Sequence, residues 1–175
     1  MYATFVLGEE RVDVLSLLEK ALPQKKIQEI LTKTGPEAIY IAGKNENSFT
    51  LGIDALLKLL RSEVATSSMH QEVGALISVT ETPMLQLPGN STSYISRSSL
   101  KDDLFAVDLN AGCTGFVDAI RLAFGLKAPT IIVTSETYST RIVGIQRNLT
   151  PVFSDGAAAC YFEPVRWKML AEVSS

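Results

Sequence analysis

Apolar residues along the chain recur with two periods, and the changes of period outline its elements. Short alternating or continuous apolar runs predict strands at Tyr2 to Leu7, Ala38 to Ala42, Val73 to Val79, Leu104 to Leu109, Ala128 to Thr134 and Ala157 to Phe162, with a last one at Trp167 to Val173 after Pro164. Spacing of three and four predicts helices. Val12, Leu15, Leu18 and Leu22 share one face, halted at Pro23, and Ile27, Ile30 and Leu31 share another, ended by Thr34-Gly35-Pro36. Asn45 to Ser48 supplies helix-start residues for a third helix carrying Ile53, Leu56, Leu57, Leu59 and Leu60 and running to about Val64. Ser91 to Leu100 suits a fourth, with Tyr94 and Ile95 inward. Ala65 to Gln71 reads as a polar break, Thr140 to Thr150 as a loop, and Phe153-Ser-Asp-Gly156 as a tight turn.

One stretch organises the rest. Leu104 to Leu109 is a short run that reads as a buried strand, and Cys113 to Phe124 is apolar on nearly every face, the pattern of a helix enclosed by protein. Only Asn110-Ala111-Gly112 separates them. A cysteine on such a turn points its sulfur at the start of the helix, where free N–H groups and the positive end of the macrodipole favour a thiolate. Cys113 is therefore a candidate nucleophile, the bland alternative being a buried structural thiol. Cys160, inside a small-residue strand, reads as core packing.

Strands alternate with helices through the middle and end in consecutive strands, so the expected class is α/β, with a mixed sheet of roughly five strands covered by helices in one domain, 1–175. Reactive residues in such sheets gather beyond the carboxyl ends of the strands. Those ends carry Thr80-Glu81, Asn110 to Cys113, and Ser135-Glu136.

Composition narrows the chemistry. Sixteen Lys and Arg against nineteen Asp and Glu give a net charge of −3 without long single-sign blocks, which suggests neither a nucleic-acid groove nor an anionic membrane surface. No apolar run approaches the ~20 residues of a bilayer span, and the first residues lack the pattern of a signal peptide, so a cytoplasmic location is expected. Two cysteines and one histidine make neither a disulfide framework nor a tetrahedral metal site, and no metal is expected.

Four motifs in order carry a resemblance: Thr80-x-Thr-Pro83 with Leu87-Pro88 downstream, Asp108-x-Asn-x-Gly-Cys-Thr-Gly-Phe116, Ser135-Glu-Thr-Tyr-Ser139, and Phe153-Ser-Asp-Gly-Ala-Ala-Ala159. From about Gly35 to Glu163 the chain resembles the amino-terminal half of a β-ketoacyl-acyl-carrier-protein synthase III, a thiolase-like enzyme of fatty acid biosynthesis. The resemblance implies a thiolase-like half-domain. It implies that Cys113 takes an acyl group from a coenzyme A or carrier-protein thioester, its own N–H lending one oxyanion donor, before a Claisen condensation with a decarboxylated malonyl thioester. No tightly bound cofactor is implied; the acyl thioester is a substrate, and a homodimer or a heteromer with a carboxy-terminal-half chain is expected.

Three departures qualify it. The family draws a His and an Asn from its carboxy-terminal half, which is expected to begin where this chain ends, at Ser175; the single histidine, His70, corresponds to neither and reads as solvated. Ser154 stands where the family has Gly, and would strain the turn if that position needs a positive φ. Pro36, Glu37 and Ala38 replace the family's Ile and Arg near the coenzyme A site.

Glu81 is the second site candidate, because the related hydroxymethylglutaryl-coenzyme A synthases place a general acid/base Glu at a similar strand end. Its bland reading is a loop or interface residue, and Glu136 carries the same ambiguity. Arg141 and Arg147 read as solvated loop cations that could meet a phosphate-bearing carrier. The rival function is a non-catalytic assembly or carrier-docking partner with a vestigial Cys113.

Overall fold

The longest apolar strands are buried on both faces, which is why Val73–Val79 and the run after Ala128 show no alternation. A computed structural model describes residues 1–20, 22–63, 65, 67–84, 86–142 and 152–164. In chain order the elements are β1 (Tyr2–Leu7), β2 (Glu10–Asp13), α1 (Val14–Glu19), α2 (Gln24–Thr34), β3 (Ala38–Ile41), α3 (Ser48–Leu60) and α4 (Ser67–Glu72). They continue with β4 (Ala75–Val79), α5 (Asn90–Ser96), β5 (Phe105–Leu109), a 3-10 turn (Gly112–Thr114), α6 (Gly115–Leu126), β6 (Thr130–Glu136), α7 (Ser139–Ile142) and β7 (Gly156–Phe162).

The main sheet has five strands in the order β1-β7-β6-β4-β5. β4 pairs in parallel with β5 and β6, while β7 runs antiparallel to both β6 and β1, so the sheet is mixed. Parallel neighbours require a crossover through a helix, and α5 and α6 provide the two needed here. α3 and α5 cover one face, where Phe49, Leu56, Leu76, Tyr94 and Ile131 share a core cluster. α6 covers part of the other, where Ala119 and Ala123 meet Ile77, Val79 and Ile132. The class and the sheet are as the patterning indicated.

β2 and β3 form a separate antiparallel pair, and with α1 and α2 they close a small core of Val14, Leu18, Ile27 and Ile39. α2 ends on Gly35 in the left-handed region, φ 76°, the position where a Cβ would be strained. α3 begins in a capping box: Asn47 accepts from the N–H groups of Phe49 and Thr50, and the Thr50 hydroxyl accepts from the Asn47 N–H.

Several elements differ from their sequence outlines. Val12 lies in β2 and not in the first helix, because pairing with Ile39 of β3 gives its side chain a core that a one-turn helical extension would not. α3 stops at Leu60, short of Val64, and the polar stretch after it contains α4, whose Met69 is buried against the main core. α5 ends at Ser96. β6 extends to Glu136, so Ser135 and Glu136 belong to the strand. The expected loop after Thr140 begins with α7; Arg147 and the Trp167–Val173 run lie outside the described residues.

Two departures concern the organising stretch itself. β5 is the sheet edge and is half exposed, not buried, with Phe105 turned to solvent. α6 is not enclosed: Gly115, Ala119 and Ala123 form its buried stripe, while Phe116 and Val117 are 37% and 51% exposed. Its all-round apolar character thus exceeds what this chain buries.

Candidate active site

β5 brings the chain to Leu109 at the carboxyl end of the sheet, beside Val79 of β4. From there Asn110-Ala-Gly-Cys-Thr114 must reverse direction over the end of β4 to start α6. Two glycines permit it. Gly112 has φ +55°, and a Cβ there would lie 2.7 Å from Glu81 Oε1; a Cβ on Gly115 would lie 2.5 Å from Val79 Cγ1. The left-handed φ disfavours a side chain at Gly112, and the missing Cβ at Gly115 lets the helix start press against β4. Cys113 stands between them in the 3-10 turn, exposed, and the Thr114 hydroxyl donates to Ala111 O at 2.9 Å. The sequence placed Cys113 on the strand-to-helix turn, and it is there.

Cys113 lies on the wall of a cavity of about 390 Å³ whose other walls include Val79, Phe116, Ile132, Glu136 and Cys160. The lining is apolar except on the Glu136 side. Cys160 is buried, and loss of water around its sulfur pushes the thiol up to about 11. It packs in the core cluster beside Ile132, the role read for it from the sequence, while also forming part of the cavity floor.

The loop after β4 sets the polar side. Thr80 N–H donates to Leu109 O at 3.1 Å, and Thr82 N–H turns back to the Thr80 hydroxyl at 3.0 Å. The Glu81 N–H donates to Glu136 Oε1 at 2.6 Å, and the Thr82 hydroxyl donates to Glu136 Oε2 at 2.8 Å. The Thr82 oxygen in turn accepts from Thr137 N–H at 3.0 Å, and Ser48 Oγ donates to Thr82 O. Glu136 thus ties the end of β6 to the loop that carries Glu81. Burial raises the Glu136 pKa; the two hydrogen bonds from the Glu81 N–H and the Thr82 hydroxyl lower it, the Glu81 charge raises it, and Arg141 lowers it slightly.

Glu81 itself is half-buried, with its carboxylate against the Gly112 turn. The structure therefore brings Glu81, Glu136 and Cys113 to one strand-end site. The grip of Glu136 on its neighbours was not legible; the alternating Thr80 and Thr82 at the end of a fully buried strand is the only local hint of a hydrogen-bonded loop.

His70 takes no part. It sits on α4, half-buried rather than solvated, with Nε2 3.2 Å from Leu60 O and Nδ1 3.3 Å from Ser99 Oγ. Arg141 is exposed on α7. Ser154 does not strain its turn, for its φ is not positive: its hydroxyl accepts from Tyr40 N–H at 2.7 Å and donates to Tyr40 O at 3.2 Å, joining the small sheet to the large one. Next to it Asp155, fully buried, accepts from Ala42 N–H at 2.8 Å, Ser139 N–H at 3.0 Å and the Ser139 hydroxyl.

Residues 107–173, which hold this turn, β6 and β7, match the family model described as 3-oxoacyl-[acyl-carrier-protein] synthase III. The chain is similar to the amino-terminal half of these synthases. Over 141 residues it is 32% identical to the β-ketoacyl-[acyl-carrier-protein] synthase III of Allorhizobium ampelinum, covering 78% of this chain and 42% of that protein. With the synthase III of Oleidesulfovibrio alaskensis it is 35% identical over 137 residues, 74% of this chain and 40% of that protein. The crystal structure of the Thermus thermophilus synthase III superposes with a TM-score of 0.77 at 26% identity, over 90% of this chain and 48% of that one. The fold is thiolase-like, and the chain spans about two fifths of the length of the curated relatives it matches. Among the described residues no helix is long and apolar enough to cross a membrane.

Proposed function

We propose that this chain carries the nucleophile of an acyl-transfer site of the synthase III type, completed by a second thiolase-like half in the same polypeptide or in another. The observation that carries the reading is Cys113 on a glycine-bounded turn at the wall of an apolar cavity. In the first step Cys113 Sγ attacks the carbonyl carbon of an acyl thioester, the C–S bond to the carrier breaks, and the carrier thiol leaves with a proton. The Cys113 N–H is one donor to the developing oxyanion, the second coming from the other half. In the next step a malonyl thioester loses carbon dioxide, its carbanion attacks the acyl carbonyl, and the Cys113 thiol is released.

The second half is proposed to supply a His and an Asn that stabilise the thioester enolate. Support comes from the share of the relatives that this chain spans and from the apolar side of α6, where Phe116 and Val117 lie open. Pairing of two copies along the β5 edge fits the exposure of that strand. The carrier is coenzyme A or acyl carrier protein.

A second reading keeps the acyl-cysteine and uses Glu81 as general acid/base, as in condensation of the hydroxymethylglutaryl type. It is favoured by the position of the Glu81 carboxylate against the Gly112 turn. Incubation with acyl-coenzyme A, alone and with a carboxy-terminal half, followed by peptide mass analysis, tests the first step. Acylation at Cys113, absent in Cys113→Ser, is expected. No mass gain under either condition would sink the enzymatic reading in favour of an assembly or carrier-docking role. Glu81→Gln in the complete enzyme separates the two reactions: an unchanged condensation rate removes Glu81 as the acid.

A further inference from the structure

We infer that Glu136 is a positioning residue, whose two carboxylate oxygens hold the Glu81 loop so that the Glu81 carboxylate stays against the Cys113 turn. The inference deepens the second reading above and rests on it for its catalytic meaning; the geometry is independent of it.

Three observations carry it. Glu136 grips two successive residues at once, the Glu81 N–H at 2.6 Å and the Thr82 hydroxyl at 2.8 Å, a two-point hold that fixes the direction in which the intervening side chain leaves the backbone. The opposite side of Thr82 is closed by Thr137 N–H at 3.0 Å and by Ser48 Oγ on its carbonyl, so the anchor cannot rotate without losing buried hydrogen bonds. The place toward which Glu81 is directed has been left vacant: Gly112 lacks the Cβ that would lie 2.7 Å from Glu81 Oε1.

The physical reason for such a hold is electrostatic. Two carboxylates near one thiol repel each other, and an exposed loop would let Glu81 swing into water. By accepting hydrogen bonds from the Glu81 backbone, Glu136 offsets that tendency: the repelled side chain is attached to a backbone that the repelling group itself holds. A side chain of this length is needed because the reach across the strand gap uses both terminal atoms, one on the Glu81 N–H and one on the Thr82 hydroxyl.

The test uses thiol alkylation, which needs no acyl donor. The rate ratio of neutral iodoacetamide to anionic iodoacetate at Cys113, read by peptide mass, reports negative charge beside the sulfur and is independent of thiol ionisation, since both reagents attack the same thiolate. Glu81→Gln is expected to lower the ratio by about threefold, the size of one charge a few ångströms away in a largely aqueous setting. Glu136→Asp keeps the charge but is one methylene too short for both anchors. It is expected to lower the ratio to the same extent, with no further loss in the Glu81→Gln/Glu136→Asp double variant. In Glu136→Gln, whose amide oxygen accepts from Glu81 N–H and whose NH₂ reaches Thr82, adding Glu81→Gln still lowers the ratio about threefold.

A Glu136→Asp ratio equal to that of the unmodified protein overturns the inference, as do additive effects of the two substitutions or a Glu81→Gln ratio that does not move. A purely structural Glu136 would lower the melting temperature in Glu136→Asp and leave its ratio at that of the unmodified protein. If Glu136→Asp does not fold, Thr82→Val, which removes one anchor and neither charge, takes its place with the same expected fall and the same overturning result. Failure of Cys113 to acylate bears on the functional reading and not on these ratios.

Discussion

Glu136 Oε1 accepts the backbone N–H of Glu81 at 2.6 Å, joining two acidic residues 55 positions apart in the chain across the ends of neighbouring parallel strands. The contact places Glu81 beside the Glu136 carboxylate, which lines an apolar cavity. Its consequence is measurable in the stability of the protein.

Burial raises the Glu136 pKa. For a carboxyl group this means that ionisation costs more in the folded than in the unfolded state, so the fold is disfavoured above the folded pKa and gains stability as pH falls toward the unfolded value. Chemical denaturation of the unmodified protein is expected to show this gain below neutral pH, superimposed on the other carboxylates. In Glu136→Gln, which keeps the acceptor for the Glu81 N–H and turns the Thr82 contact round so that the amide NH₂ donates to the hydroxyl, the charge is gone and the gain is absent. A gain of the same size in Glu136→Gln would contradict the assignment.

Gly112 and Gly115 carry opposite expectations for the same small substitution. Gly112→Ala adds a side chain at φ +55° and against Glu81 Oε1, and is expected to cost about 1–2 kcal/mol and to alter the alkylation ratio at Cys113. Gly115→Ala meets Val79 Cγ1, which lies in the core, so overpacking of about 1–3 kcal/mol is expected while the Glu81 charge stays in place. Thermal melts and alkylation of the two variants separate strain at the turn from strain under the helix.

Asp155 binds three donors from two segments, Ala42 and Ser139, with almost no exposure to water. Asp155→Ala leaves the buried Ser139 N–H and the partly buried Ala42 N–H without an acceptor and is expected to destabilise the fold by about 3 kcal/mol, measured by denaturant titration. Asp155→Asn, which retains one acceptor oxygen, is expected to lose less.

The two cysteines differ in reactivity for a physical reason. Cys160, with its thiol pushed up to about 11, is almost wholly protonated at pH 8 and buried, so iodoacetamide leaves it unmodified in the folded protein. Cys113, exposed on its turn, takes the label. Equal labelling of both in the native state would show that the cavity floor is open to reagent.

What the sequence determined by itself was local. The run at Val73–Val79, the Gly35-Pro36 stop, the Asn47 cap and the glycines around Cys113 each act through neighbours within a few positions, and they appear where the patterning puts them. The α/β class and the five-stranded sheet follow from the order of such units. Tertiary structure decided the rest. Whether Leu104–Leu109 is central or at an edge depends on which strand lies beside it, and periodicity cannot report that, so an exposed β5 was read as buried. Val12 took a strand because β3 lay opposite, and polar residues after Leu60 formed α4 because Met69 found the core. The site divides in the same way. Cys113 was legible because a turn advertises itself in consecutive residues, whereas the hold of Glu136 on Glu81 and Thr82 exists only once β4 and β6 are side by side, since a hydrogen bond acts over about 3 Å of space and has no sequence spacing of its own.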